Sequence, residues 1–183
     1  MIARDPDVQT SASGASPRRG ISKFVWLGLA IFFVAAFYAW SYTCPCTRVP
    51  GGYLFGNVVE EPVKDWSFAN DADVCQIQIS AVIPHSINLN CMATPEGKLY
   101  LSCSNCQPKY WSRHVMENPV SRLRVKGNVY PVNLTRVTDP AEMDLAWETR
   151  VEKVQRVASA VNPAVPIGTP RPATWWTFRV ESR

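Results

Sequence analysis

The sequence predicts a mainly β (α+β) fold: a small antiparallel barrel with two flanking helices, preceded by one transmembrane helix. Three observations predict it. Residues 24–42 carry neither a charge nor a proline. From residue 71 onward, short runs of alternating apolar and polar residues are separated by turn-forming residues, the pattern of antiparallel strands. Two segments, 108–118 and 139–158, switch to a helical period.

The apolar run is the first element. At ~1.5 Å per residue its 19 positions span roughly 28 Å, close to the hydrocarbon thickness of a bilayer. The segment before it, 1–23, is polar and rich in small residues, the composition of a disordered tail. Its last six residues include Arg18, Arg19 and Lys23, whereas Arg48 is the only cation between Thr43 and Pro62. The positive-inside rule therefore keeps the tail in the cytoplasm and carries the larger part across the membrane. A cleaved signal peptide is the competing reading. Against it, the apolar core runs on into Phe37, Tyr38, Trp40 and Tyr42 without a small-x-small cleavage pattern, and these aromatics resemble an interfacial belt. The boundaries expected are a cytoplasmic disordered tail over 1–23, a transmembrane helix over 24–42, a linker and lead-in over 43–70, and a barrel domain over 71–183.

Within 183 residues, that arrangement leaves room for one hydrophobic core and not two. It excludes a purely soluble enzyme, a multi-span transporter and a long disordered chain. The formal charge of +4 divides evenly between the tail and the exported part, so the charge balance gives no reason to expect a nucleic-acid partner, whose binding demands a concentrated basic surface.

The barrel elements follow in order. Pro45, Pro50, Gly51, Gly52, Gly56 and Pro62 interrupt any regular pattern in the lead-in. Residues 74–79 (VCQIQI) and 87–92 (INLNCM) alternate as strands, joined by a connection that includes Ile83, Pro84, His85 and Ser86. Thr94-Pro95-Glu96-Gly97 has turn chemistry, proline early and glycine last, and 98–103 (KLYLSC) is a third strand. Pro108 opens a helix that Asn118-Pro119 closes. Residues 120–126 and 129–138 form a hairpin about Gly127-Asn128. Asp139-Pro140-Ala141-Glu142 has the cap, proline and glutamate of a helix start. Met143, Trp147, Val151, Val154 and Ala158 then make one apolar stripe. A proline-rich loop at 159–173 precedes a last strand at 174–180.

Six cysteines, Cys44, Cys46, Cys75, Cys91, Cys103 and Cys106, all follow the apolar run, as suits an oxidising compartment. Structural disulfides are the first reading. Cys75 and Cys91 could face each other if their hairpin centres near Ile83, whereas a slip of one residue would separate them. A four-thiolate zinc site from Cys44, Cys46, Cys103 and Cys106 is the second reading. A catalytic C-x-x-C dithiol at 103–106 is the third, although the surrounding periods suggest antiparallel strands and not a βαβ unit. Gln107 stands where a C-x-x-C-H haem site needs histidine.

Several phrases carry a family resemblance. Gly97-Lys98-Leu99-Tyr100-Leu101-Ser102, Lys109-Tyr110-Trp111, Glu117-Asn118-Pro119 and 120–125 (VSRLRV) resemble the flavin-binding split β-barrel superfamily. So do Tyr130-Pro131-Val132 and 136–142 (RVTDPAE). This superfamily includes pyridoxamine-phosphate-oxidase-like proteins and deazaflavin-dependent nitroreductases. The resemblance implies a split β-barrel over 71–183, a homodimer, and FMN or a deazaflavin held in a groove. It also implies that Ser102, Ser104, Asn105 and Lys109, after the third strand and at the start of the next helix, meet the cofactor's phosphate. Where the nitroreductases carry a glycine- and arginine-rich connection, this chain has 81–86 (AVIPHS), so part of that grip is absent.

The activity implied is an oxidoreductase acting on a small molecule, in the inner (cell) membrane of a bacterium with the main domain on the periplasmic side. The chain would hold and tune its cofactor, so no catalytic residue is assigned. The alternative is a non-catalytic, disulfide-stapled ectodomain that binds a partner or ligand. Other candidates have plainer roles. Arg122, Arg124 and Lys126 share a strand face that suits solvent. His85 and His114 lack metal-ligand spacing. Trp175, Trp176 and Phe178 suit packing, and Asn133-Leu134-Thr135 fits the glycosylation pattern inside a strand.

Overall fold

The structure, a computed structural model, describes residues 23–46 and 49–183. The disordered tail expected over 1–23 lies outside the described residues except for Lys23, and Arg48 lies outside them too. The chain divides into two compact units, Met1–Ala36 and Phe37–Arg183. The first contains most of helix α1 (Lys23–Ser41), which is long and apolar enough to cross a membrane.

In the second unit, six strands close into an antiparallel barrel. They are β2 (Cys75–Ile79), β3 (His85–Ala93), β4 (Leu99–Ser104), β5 (Val120–Val125), β6 (Asn128–Val137) and β7 (Trp175–Ser182). The order is β6-β5-β2-β3-β4-β7, and β7 returns to β6 to complete the ring. Closure pairs the two outermost strands of the ring with each other, β7 with β6. A two-residue strand β1 (Asn57–Val58), which the sequence did not predict, runs parallel to the start of β6.

Alternation along each strand fills the barrel. Ile77, Ile79, Leu99, Leu101, Leu123, Val125, Val132, Leu134 and Phe178 all lie in one buried cluster. Burying each contributes roughly 1.5–3 kcal/mol. The outward face of β5 shows the reverse. Arg124 lies 2.5 Å from Gln76 Oε1 and donates to the Phe55 carbonyl, and Lys126 pairs with Asp71 at 2.9 Å. Arg124 and Lys126 thus brace neighbouring segments, and Arg122 is half-buried on the same strand.

Two features differ from the sequence reading. His85 is not in a connection but is the first residue of β3, paired with Ile79. The β2–β3 hairpin also centres one residue earlier, on Val82 instead of Ile83, which shifts each partner by two residues, so that Cys75 pairs with Leu89. An even displacement keeps each side chain on its face. Cys75 and Cys91 therefore remain inward neighbours, set diagonally, and form a disulfide with Cα atoms 5.7 Å apart.

The lead-in contributes to the core. Leu54, Trp66 and Ala69 are fully or nearly fully buried, and Trp66 packs edge-on against Tyr130 at 5.1 Å. A 3-10 turn at Ser67–Asp71 covers that end of the barrel. Between β3 and β4, Gly97 takes φ +80°, a conformation that favours glycine and explains its place in the predicted turn.

Two helices flank the barrel. The shorter, α2 (Tyr110–Glu117), stops where the Asn118 N–H bonds the His114 carbonyl at 2.8 Å and Pro119 follows. The longer, α3 (Pro140–Val157), begins as predicted: Asp139 Oδ2 accepts the Glu142 N–H at 2.8 Å. Glu142 is engaged across the barrel, accepting from Tyr100 Oη at 2.9 Å and Arg179 Nη1 at 2.9 Å. The predicted stripe is buried at Trp147, Val151 and Val154, but the buried face is wider and includes Arg150 and Lys153.

Candidate functional site

The strand registers leave a gap in the barrel wall. Strand β3 pairs with β2 through residues 85–89 but with β4 only through residues 90–93. Its first five residues therefore have no strand on the β4 side. Strand β4 ends at Ser104, and the chain turns through Asn105, at φ +46°, into α2. A cavity of about 610 Å³ occupies this gap. Its walls come from β3 (His85, Ile87, Asn88, Leu89), the β4–α2 junction (Ser104, Lys109, Tyr110, Trp111), the segment after α1 (Cys46, Val49, Pro50) and Val161. That volume is within the ordinary range for small-molecule and cofactor sites.

Its lining mixes apolar and polar groups in nearly equal measure, with His85, Asn88, Ser104, Lys109 and Tyr110 as the polar ones. Trp111 is nearly buried and stacks toward Phe178 of the core at 5.2 Å, which fixes one wall. The His85 ring meets Tyr110 edge-on at 5.2 Å, and Tyr110 lies 5.5 Å from His114. Burial, and secondarily the nearby His114, lowers the His85 pKa and so favours the neutral imidazole. The Lys109 ammonium donates to the Ser104 carbonyl at 2.9 Å and lies 3.5 Å from Cys103 Sγ. Burial lowers its pKa as well. Lys109 is also the residue before α2, and no side chain caps that first turn. An ammonium beside uncapped helical N–H groups favours an anion.

Of the four residues implied to grip a phosphate, the structure brings Ser104 and Lys109 to this cavity. Asn105 stands exposed on the turn beside it. Ser102 does not line it; its Oγ is buried without a hydrogen-bond partner. Cys103 and Cys106 are bonded to each other across the turn, Cα atoms 5.5 Å apart, which removes them from a four-thiolate zinc set. Ser112 Oγ donates to the Cys106 carbonyl at 2.6 Å and steadies the same turn. Cys44 and Cys46 are free thiols. Two disulfides in one small domain agree with an oxidising compartment.

Sequence reasoning passed over Trp111, Ile87 and the juxta-helical wall as site residues. Trp111 falls in the phrase Lys109-Tyr110-Trp111 that carries the resemblance, but no local motif marks Ile87 or the wall after α1, and only the unequal pairing of β3 brings them together. A second cavity of about 590 Å³ lies between α3 and residues 167–171. Asp144, Glu148 and Glu152 on its wall would repel an anionic cofactor, so it is a poorer fit to the implied chemistry.

No protein-family model matches the chain, and no curated protein does. Solved structures do. A candidate pyridoxamine 5′-phosphate oxidase from Listeria innocua matches at 10% identity and TM-score 0.43, covering 62% of this chain and 86% of that one. A NimC/NimA family protein from Clostridium acetobutylicum matches at 17% identity and TM-score 0.41, covering 62% and 74%. An FAD-binding protein from Mesorhizobium loti matches at 15% identity and TM-score 0.41, covering 63% and 84%. Likenesses of this degree concern the fold and carry nothing about cofactor, substrate or location.

Proposed function

We propose that this protein is a membrane-anchored split-barrel oxidoreductase that holds a flavin-type cofactor, FMN or a deazaflavin, in the β3–α2 cavity. The observation that carries the reading is the make-up of that cavity. Aromatic walls stand beside an ammonium and an uncapped helix start, in a hollow of cofactor size. In this reading the Lys109 ammonium and the first N–H groups of α2 bind the phosphate. Tyr110 and Trp111 orient the ring system and exclude water from one side of it. Neutral His85 offers a hydrogen bond without adding charge. A bound flavin would supply hydride or single-electron transfer to a small molecule, and the chain's own groups would bind and position.

Membrane attachment is supported by α1, which has the length and composition of a single span. The two disulfides support a domain on the periplasmic side. The alternative, a colourless ligand-binding ectodomain, draws on one observation: the Ser104 carbonyl already holds Lys109.

The test is a titration of the full chain, purified in detergent, with FMN and with a deazaflavin, followed by cofactor fluorescence and absorption. Saturable binding that Lys109→Ala weakens by roughly tenfold, the loss of one charge-assisted contact, is expected. Failure of both cofactors to bind the wild type would overturn the reading.

A further inference from the structure

Within the unit Phe37–Arg183, the last residue of α1 is joined by backbone contacts to the segment at Gly51–Tyr53. The Tyr53 N–H donates to the Ser41 carbonyl and the Gly52 N–H to the Thr43 carbonyl, each at 2.8 Å. Gly51 and Gly52 lie so close to the 41–45 backbone that a Cβ on either would collide with main-chain atoms. From the barrel side, Ser86 of β3 exchanges both backbone hydrogen bonds with Gly51 at 2.9 Å. Ser41 and Thr43 are thus held beside Gly52 and Tyr53, and in the loop between them Cys46, five residues beyond the helix end, lies no more than roughly 18 Å from it.

Two consequences meet at that loop. Tyr42, Tyr53 and Phe55 stand exposed beside the clamp, with Tyr42 stacked on Phe55 at 5.5 Å. Tyrosines in such a position settle at headgroup level. The outer part of the same loop, Cys46, Val49 and Pro50, is one wall of the cavity. If α1 spans a bilayer, the five residues from Ser41 to Cys46 therefore keep this wall within roughly 18 Å of the membrane end of the helix, with apolar Val49 and Ile87 on the lining beside polar His85, Asn88, Ser104 and Lys109.

We propose that the cavity draws its substrate from the bilayer, and that this substrate is a single-headed amphiphile. Its apolar tail runs along Val49, Pro50 and Ile87, and its oxygen-bearing head lies toward His85. The proposal rests on the membrane-anchored reading above and names the substrate class of that same site.

Photo-crosslinking of the full chain in phosphatidylcholine–phosphatidylglycerol liposomes tests it. The probes are a palmitate with a mid-chain diazirine and a water-soluble four-carbon diazirine carboxylate, with adducts mapped by peptide mass spectrometry. Palmitate adducts are expected in residues 46–50 and 85–89, at least about fivefold above the short probe, because only the tail gains from apolar burial. Val49→Asp, at an exposed position where folding is undisturbed, should cut these adducts by about fivefold through the cost of a carboxylate on an apolar wall. Its adducts on α1 should be unchanged. Adducts confined to α1 and to Tyr42, Tyr53 and Phe55, or equal cavity labelling by both probes, would overturn the proposal. FMN titrated into the same liposomes separates the two readings. FMN binding with labelling at the anchor alone sinks the amphiphile and leaves the cofactor; cavity adducts without FMN binding do the reverse.

Discussion

The two helical flanks of the barrel are built on opposite plans. On the α3 flank a capped helix of 18 residues seals the wall with buried groups. Lys153 Nζ donates to the Ala69 and Cys91 carbonyls at 3.0 and 2.6 Å, and Glu142 ties Tyr100 to Arg179. On the α2 flank an uncapped helix of eight residues leaves β3 half-paired and a cavity open beside it. The comparison teaches where each property resides. Stability is concentrated where a capped helix packs a wide buried face onto the wall, even though Arg150 Nε and Nη1 there have no hydrogen-bond partner, and ligand chemistry where the wall is left open.

The largest test of that division is a pair of aromatic truncations. Trp147 on α3 is nearly buried, and its Nε1 donates to the Thr169 carbonyl at 2.7 Å. Trp147→Ala should cost about 3–5 kcal/mol in urea unfolding. Tyr110 on α2 is half exposed, so Tyr110→Ala should cost no more than about 1 kcal/mol. Equal losses would erase the distinction between the flanks.

The disulfides give a second contrast. Cys75–Cys91 closes a loop of sequence separation 16, and Cys103–Cys106 one of separation 3. On the chain-entropy account, removing the first as a Cys75→Ser/Cys91→Ser double variant costs about 3 kcal/mol and removing the second about 2 kcal/mol. Denaturation midpoints of the two double variants measure the order. A larger loss at Cys103–Cys106 would mean that the cavity flank bears more of the fold than its geometry suggests.

A third contrast is in pH. Burial lowers the pKa of Lys153 from 10.5 to about 8, opposed by the charges of Asp73 and Asp71. Between these values the unfolded chain binds more protons than the folded one, so stability rises with pH. Linkage puts the gain at roughly 2 kcal/mol between pH 7 and pH 9.5. Thermal unfolding across that window should show the rise in the wild type and a flattened profile in Lys153→Met. A wild-type profile that falls over the same window would contradict the assignment.

The same division governs how much could be read from sequence. Closed, regular parts announce themselves. Asp139-Pro140-Ala141-Glu142 predicts the α3 start because its cap is local, and the alternation in β2 and β5 predicts which of their residues fill the barrel. What depends on distant pairing does not. His85 belongs to β3 because Ile79 lies opposite it, which no residue beside it reveals. The extra β1 and the burial of Leu54 and Trp66 depend on where the lead-in lands. Lys153 and Arg150 interrupt an apolar stripe, and only the carbonyls and tryptophan rings around them explain their burial. At the site, Ser104 and Lys109 were within reach of a resemblance, whereas the wall made by Cys46, Val49 and Pro50 is a product of the clamp at Gly51 and Gly52.

The smallest expected effect probes the division most directly, because it should move the two properties in opposite senses. Lys109 has φ −76° and ψ 138°, the extended geometry of an N-cap, yet its side chain caps nothing. Asparagine at that position can accept a hydrogen bond from the first turn, a contribution of about 0.5–1 kcal/mol. Lys109→Asn should therefore raise the urea midpoint slightly. It should also weaken flavin binding, since the ammonium is gone and the new carboxamide oxygen competes for the N–H groups that would face the phosphate. A variant both more stable and poorer at binding would show that the open start of α2 is kept for a ligand at a cost in stability. If Lys109→Asn gains stability and binds flavin as tightly as the wild type, the uncapped turn serves neither purpose, and the cofactor's phosphate must be sought elsewhere in the cavity.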